Sequence, residues 1–271
     1  MKSLVTLLMS SIDTTTLFSL AGKVALVTGG SRGIGRMIAE GFVRSGAKVY
    51  LTSRKREACE RTAAELSAIG PCHAVPTDIS TGQERSSLVR TLEAREASLH
   101  ILVNNAGTNW GAAFSDYPEA GFKKVLDLNL TALFFLTQDL TPMLERAARR
   151  DDPSRVINIG SIDGLHVPTV IPTPTFAYSA SKAAVHHLTR TLAVTLAPKQ
   201  ITVNAVAPGF FESKMTAQAL REHRRAIEEA CPLQRIGNPE EMAGVAIYLA
   251  SRAGAYTNGA VIPVDGGTSI A

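Results

Sequence analysis

Seven short runs rich in β-branched residues recur along the chain, each separated from the next by a longer stretch of helical periodicity, and this alternation leaves few folds open. The runs are residues 24–27, 48–51, 72–75, 101–103, 156–159, 201–205 and 260–264. Strand, helix and strand in succession build a unit whose strands are parallel and whose helices cover the sheet. The pattern predicts an α/β fold: a single-domain, Rossmann-like, doubly wound parallel sheet of about seven strands with helices on both faces. With 271 residues and 45% hydrophobic content, one large core is within reach.

The chain's ends and charge narrow the setting. Residues 1–20 read as an N-terminal extension, because the apolar run at 4–9 is too short for a signal peptide and no small-x-small cleavage site follows it. No other segment approaches the ~20 apolar residues of a membrane helix. The 28 basic and 24 acidic residues give +4, too mild and scattered to indicate nucleic-acid binding. Cys59, Cys72 and Cys231 are odd in number and far apart, so neither a disulfide framework nor a zinc site is expected, and a reducing, cytoplasmic setting fits.

The first strand runs into Thr28-Gly29-Gly30-Ser31-Arg32-Gly33-Ile34-Gly35 and then into a helical pattern. A loop of this kind lets the backbone approach a pyrophosphate while a helix N-terminus offers it free N–H groups, so residues 21–271 are expected to form one dinucleotide-binding catalytic domain. The spacing Gly-x-x-x-Gly-x-Gly differs from the commoner Gly-x-Gly-x-x-Gly. At the end of the second strand an acidic residue would select NAD, but the chain has Thr52-Ser53-Arg54-Lys55. With Arg54 and Arg32 available for a 2′-phosphate and Ser53 beside them, the expected cofactor is NADP(H); otherwise Arg54, Lys55 and Arg56 merely begin a solvated helix. Asp78 is placed either to accept from the adenine amino group or to cap the next helix.

Tyr178 and Lys182 stand four apart in a helical pattern and therefore share one face. A free tyrosine has a pKa of ~10, and a nearby ammonium stabilises its phenolate, which suits a proton donor to a carbonyl. Asn104-Asn105-Ala106-Gly107 follows the fourth strand, Ser161 the fifth and Pro208-Gly209 the sixth.

In these motifs and their order, from about Leu20 to Gly267, the sequence resembles the short-chain dehydrogenase/reductase family. The resemblance implies that Ser161 holds the substrate carbonyl oxygen, Tyr178 donates its proton as hydride arrives, and Lys182 depresses the tyrosine pKa and grips the nicotinamide ribose. Asn129 matches the family asparagine that kinks a helix and holds a water in a proton relay. Asn105, Ala106 and Gly107 would border the adenosine side of the cofactor; Pro208, Gly209 and Ser213, where the family usually has Thr, would border the nicotinamide carboxamide. Ser161 and Tyr178 lie seventeen positions apart, more than the family commonly shows. The surplus is a proline-rich stretch, 167–175, which either walls the pocket with Val167, Val170, Ile171 and Phe176 or is a surface loop.

Within the family, the runs 29–35, 235–241 and 264–267 look most like 3-oxoacyl-thioester reductases, and 104–113 and 155–161 are closest to a bacterial branch named for rhamnolipid synthesis. The implied reaction is NADPH-dependent reduction of a 3-oxoacyl to a 3-hydroxyacyl thioester. Dehydrogenation of a sugar, polyol, steroid or other secondary alcohol is the alternative, and a non-catalytic dinucleotide sensor a distant one. An acidic acyl-carrier-protein partner would need a basic landing site, supplied by Arg146, Arg149, Arg150 and Arg155 or by His223, Arg224 and Arg225, unless these are solvated faces. The family also implies a homotetramer. The segment 210–230 is placed to form a lid. His186 and His187 are expected at a helix or subunit surface, His166 as structural, and Trp110 either at the substrate mouth or in the core.

Overall fold

The computed structural model describes residues 13–168 and 173–271. Residues 1–12 of the expected extension and Val170, Ile171 and Pro172 of the proline-rich stretch lie outside them.

All seven runs become strands, β1 (Val24–Thr28), β2 (Lys48–Thr52), β3 (Cys72–Ala74), β4 (Ile101–Asn104), β5 (Ser154–Ile159), β6 (Ile201–Pro208) and β7 (Val261–Val264). They form one sheet in the order β3-β2-β1-β4-β5-β6-β7, with every neighbouring pair parallel. The helices are α1 (Thr14–Leu17), α2 (Gly33–Arg44), α3 (Arg56–Ser67), α4 (Gly82–Glu93), α5 (Glu119–Leu126), α6 (Ala132–Ala147), α7 (Phe176–Leu196), α8 (Ala217–Ala230) and α9 (Pro239–Ala250).

The strands are apolar on both sides because both sides are covered. Ala25 and Val27 point into a core shared with Ile38 and Phe42 of α2 and Met242 and Leu249 of α9. Val24 and Leu26 point into the other, shared with Leu88 of α4, Leu136 and Leu140 of α6 and Leu192 of α7. Leu20 is fully buried in the first core, so the end of the expected extension is part of the packed body. Arg155, expected in a basic landing site, is also buried. Its guanidinium donates to the Leu249 carbonyl at 3.1 Å, the Ser251 carbonyl at 2.9 Å and Asp152 at 3.0 Å, so it ties β5 to α9 and is closed to a partner.

Strand order reverses between β1 and β4, and the loops beyond their carboxyl ends open the crevice in which this architecture binds ligands. One irregularity positions what enters it. Between α5 and α6 the helix widens into a π-turn over Asp127–Thr131, with Asn129 buried at its centre. Such a turn carries one residue too many for the ordinary ladder and is found mostly at functional sites.

Candidate active site

The glycine loop is held from behind by β4. Thr28 Oγ1 accepts the backbone N–H groups of Asn105 (2.9 Å) and Ala106 (3.0 Å), and the Asn105 side-chain amide donates to the carbonyls of Thr28 (2.8 Å) and Gly29 (3.2 Å). These contacts leave no room for side chains: a Cβ on Gly29, whose φ is +64°, would come within 3.0 Å of the Ala106 backbone. One on Gly35 would meet the Gly29 carbonyl oxygen at 2.5 Å. Helix α2 begins at Gly33 with no side chain capping it, so its first N–H groups face the loop, the arrangement that binds a phosphate. Arg32 is exposed at its start, with Ser31 and Ile34 half-buried on either side of the turn.

Beyond β2, Ser53 and Arg54 lead into α3, and the Arg54 side chain is well exposed, 3.9 Å from Asp78. Asp78 does not cap α4; Thr81 does, accepting the Glu84 N–H at 3.3 Å. Asp78 instead fastens the turn ahead of that helix by accepting from the Ser80 N–H (3.0 Å) and hydroxyl (2.7 Å). Arg54, Asp78 and Thr108 line a groove whose far side is formed by Lys123, Lys124 and Asp127 of α5 and the π-turn. No motif marked these last three, because the groove forms only when α5 and the loop after β3 come together in the fold.

The other side of the crevice brings together Asn129, Ser161, Tyr178 and Lys182. Asn129 uses its whole amide: Oδ1 accepts the Thr108 N–H at 2.8 Å, and Nδ2 donates to the Thr108 carbonyl and to Ser181 Oγ, both at 3.0 Å. It joins the β4 loop to α7, one residue ahead of Lys182. Lys182 is buried, and its Nζ donates to the Ile159 carbonyl at 2.7 Å while lying 5.5 Å from the centre of the Tyr178 ring. Burial pulls Lys182 down to about 8, with the Asp163 carboxylate opposing.

Tyr178 departs from expectation, since its pKa is pushed up to about 12. Burial is the main cause and the Asp163 charge the second, while the Ser161 hydroxyl acts the other way. Desolvation outweighs the ammonium because Lys182 aims at a carbonyl on β5 rather than at the phenol oxygen. The consequence is a phenol wholly protonated at neutral pH, the form that a proton donor must have. Ser161 is buried and its Oγ accepts the Asp163 N–H at 3.2 Å, which leaves the hydroxyl hydrogen free to donate.

Pro208 ends β6, and a Cβ on Gly209 would meet the Asp265 backbone at 2.8 Å. Ser213 closes the ring: its Cβ lies 3.1 Å from where a Gly33 side chain would begin, so the loop after β6 reaches the glycine loop. Thr216 holds it there through its hydroxyl, 3.0 Å from the Ser213 hydroxyl and donating to the Phe211 carbonyl at 2.6 Å.

Several expectations change. His186 is buried, not at a surface: it lies beneath Gly160 and Gly164, either of whose side chains would collide with its ring, and neither ring nitrogen has a partner among the described residues. Burial holds its pKa down at about 4. His187 is exposed. Trp110 is not a core residue; 37% exposed, it covers Gly121 of α5 beneath Lys124. Arg224 and Arg225 are bound to Glu212, Glu228 and Glu229, which leaves that landing site largely neutralised. Asp163, which carried no expectation, stands next to the proton donor.

Comparison with known proteins gives a consistent answer. The family profile described as enoyl-(acyl carrier protein) reductase matches residues 29–269. The rhamnolipids biosynthesis 3-oxoacyl-[acyl-carrier-protein] reductase of Pseudomonas aeruginosa is 49% identical over 252 residues, 92% of this chain and 97% of its own. The 5-keto-D-gluconate 5-reductase of Escherichia coli K12 is 37% identical over 261 residues, 94% and 98% of the two chains. Among solved structures, a Pseudomonas aeruginosa RhlG/NADP active-site complex superposes with a TM-score of 0.90 at 48% identity, covering 94% of this chain and 99% of that one. A gluconate 5-dehydrogenase from Burkholderia cenocepacia J2315 in complex with NADP and tartrate gives 0.86 at 28% identity, covering 96% and 100%.

Proposed function

The chain belongs to the short-chain dehydrogenase/reductase family, and from that premise we propose that it reduces the 3-carbonyl of 3-oxoacyl thioesters at the expense of NADPH. The observation that carries the reading is the meeting of Ser161, Tyr178 and Lys182 at the mouth of a crevice whose other wall is built for a dinucleotide.

The residues present fit NADP. The glycine cradle tolerates no Cβ, the α2 N-terminus is uncapped, and β2 ends in an exposed arginine with no carboxylate at the position that would repel a 2′-phosphate. Gly29, Ser31, Arg32, Gly33, Ile34 and Gly35 would surround the pyrophosphate, Ser53 and Arg54 the 2′-phosphate, Asp78 and 105–107 the adenosine, and Pro208, Gly209 and Ser213 the carboxamide. When bound, the cofactor supplies a hydride to the carbonyl carbon.

The chain's own residues do the rest. Ser161, already accepting from Asp163, donates its hydroxyl hydrogen to the substrate carbonyl oxygen and so draws charge toward it. Tyr178 gives its proton to the same oxygen, and the ammonium of Lys182 beside the ring stabilises the phenolate left behind. Asn129 keeps α7 and the β4 loop in register, so that the two residues stay aimed at one point.

An apolar substrate tail is favoured by the side chains left bare near the crevice: Phe114 is 84% and Val167 80% exposed, and Phe114, Tyr117 and Phe176 stack edge to face at 5.6–5.7 Å. Acyl carrier protein as the carrier and assembly as a homotetramer belong to the same proposal, the first supported by the name of the Pseudomonas relative. Reduction of a sugar or polyol ketone is the second reading, favoured by the half-buried Asp163 carboxylate beside the proton donor and by the gluconate-acting relatives.

The test is NADPH against NADH consumption with 3-oxoacyl thioesters of several chain lengths, with Tyr178→Phe as the blank. Turnover that depends on NADPH and disappears in the variant supports the reading. An unmodified protein that binds NADPH and leaves every thioester intact overturns it.

A further inference from the structure

Asp163 is an acidic group beside the proton donor that takes no part in the carbonyl reduction; burial raises its pKa, and the charges of His166 and Lys182 oppose the rise. It stands in the short 3-10 turn Ile162–Gly164, and its backbone N–H is fastened to the Ser161 hydroxyl, which fixes it against the carbonyl-binding residue. Its side chain is half-buried, and neither carboxylate oxygen accepts a hydrogen bond from any described residue. Other carboxylates differ: Asp265 accepts from the N–H groups of Gly267 and Ser269, and Asp152, at the opposite end of β5, from Lys23 and Arg155.

The groups that could serve it are committed elsewhere. Lys182 Nζ is given to the Ile159 carbonyl, and His166 Nδ1 lies 3.0 Å from the Ile162 carbonyl. Its charge is nevertheless felt at both Tyr178 and Lys182, so the carboxylate lies close to both. A half-buried carboxylate that no side chain answers, fixed beside a proton donor, is free to accept from a ligand, and acids in such settings cluster at functional sites.

Resting on the carbonyl-reductase reading, we propose that Asp163 is a specificity-determining residue that accepts a hydrogen bond from an N–H or O–H carried by the substrate near its reacting carbonyl. The substrate class is a ketone flanked by a donor, whether the amide N–H of a pantetheine thioester arm or the hydroxyl of a hydroxylated ketone. Both bring a donor to the carboxylate, the hydroxyl from the carbon next to the ketone and the amide N–H from further along the thioester arm. A donor-free ketone leaves the carboxylate unpaired, and a free 3-oxo acid brings a second negative charge against it.

Matched ketones test this. The kcat/KM of a 3-oxoacyl pantetheine thioester is compared with that of the alkyl ester of the same acid, which has no N–H, and an α-hydroxyketone with its deoxy counterpart. At least one pair favours the donor by roughly tenfold or more, the worth of a hydrogen bond to a charged group, and the pair that does so identifies the source. In Asp163→Ala the preference falls to near one. Asp163→Asn, which keeps an acceptor oxygen without the charge, retains part of it, raises relative turnover of the free 3-oxo acid, and keeps NADPH binding measurable by fluorescence.

Equal use of donor-bearing and donor-free ketones by the unmodified protein, or a preference unchanged in Asp163→Ala, overturns the inference and leaves the reductase reading standing. If the protein binds NADPH and reduces neither member of either pair, both fall.

Discussion

The rim of the sheet above β1, β2 and β4 and the rim above β5 and β6 are made from the same kind of strand end, yet they are finished in opposite ways. Above β1 and β4 the polar groups answer one another: Thr28, Asn105 and the Gly29 carbonyl form a closed set, and glycines bring backbone against backbone. Above β5 polar groups go unanswered among the described residues: Asp163 accepts from no donor and the His186 ring, sealed beneath Gly160 and Gly164, has no partner, while Val167 stands bare. The first rim suits a ligand whose phosphates never vary. The second leaves the Asp163 carboxylate for whatever is to be reduced.

Breaking the second rim at its centre gives the largest effect. Tyr178→Phe removes the donor proton and lowers kcat by about a thousandfold or more, while NADPH binding measured by fluorescence persists. A parallel loss of binding would mean that the two rims are not separable. The first rim breaks through its backbone: Gly35→Ala drives a methyl group into the Gly29 carbonyl and destabilises the fold by about 3 kcal/mol in thermal unfolding, with the stabilisation by added NADPH lost as well.

The open rim also carries a dependence on pH. The folded protein protonates His186 only near pH 4, against 6.5 for an ordinary histidine, so the unfolded chain binds that proton first. Stability is therefore complete above about pH 6.5 and falls as the pH drops toward 4, by up to about 3 kcal/mol. His186→Leu, which strands no hydrogen-bond partner, flattens this part of the denaturation profile; an unchanged slope would assign it elsewhere. The smallest effect sharpens the cofactor side: Arg54→Ala raises the KM for NADPH about tenfold and leaves that for NADH nearly unchanged.

The closed rim was the legible one. Glycines at fixed spacing after a β-branched run, and a strand end without a carboxylate, mean the same thing wherever they occur, because backbone geometry and phosphate charge demand them. All seven strands were visible for a similar reason: a parallel sheet covered on both faces must be apolar throughout. The open rim hid its contents. Asp163 is one acid in a loop, and its isolation exists only once Lys182 and His166 have turned to other carbonyls. His186 follows Lys182 by one helical turn, which puts it on the inner face, but only the two glycines above it show that the space is closed. Arg155 looked like one more surface charge because nothing in its neighbourhood in sequence announces the Leu249 and Ser251 carbonyls that receive it.

The π-turn at Asp127–Thr131 absorbs a residue. A helix advances about 100° per residue, so one surplus residue wound into an ordinary helix would turn everything before it by that angle relative to everything after it. The widened turn takes the surplus up without that rotation, and Gly121 and Val125 on α5 and Leu133, Leu136 and Leu140 on α6 all stay buried. Deleting Leu130 would restore an ordinary helix with both buried stripes kept, and the loss would fall on Asn129, whose amide meets Thr108 and Ser181 from within the widened turn. What the extra residue secures is the aim of one side chain, not the register of the two halves.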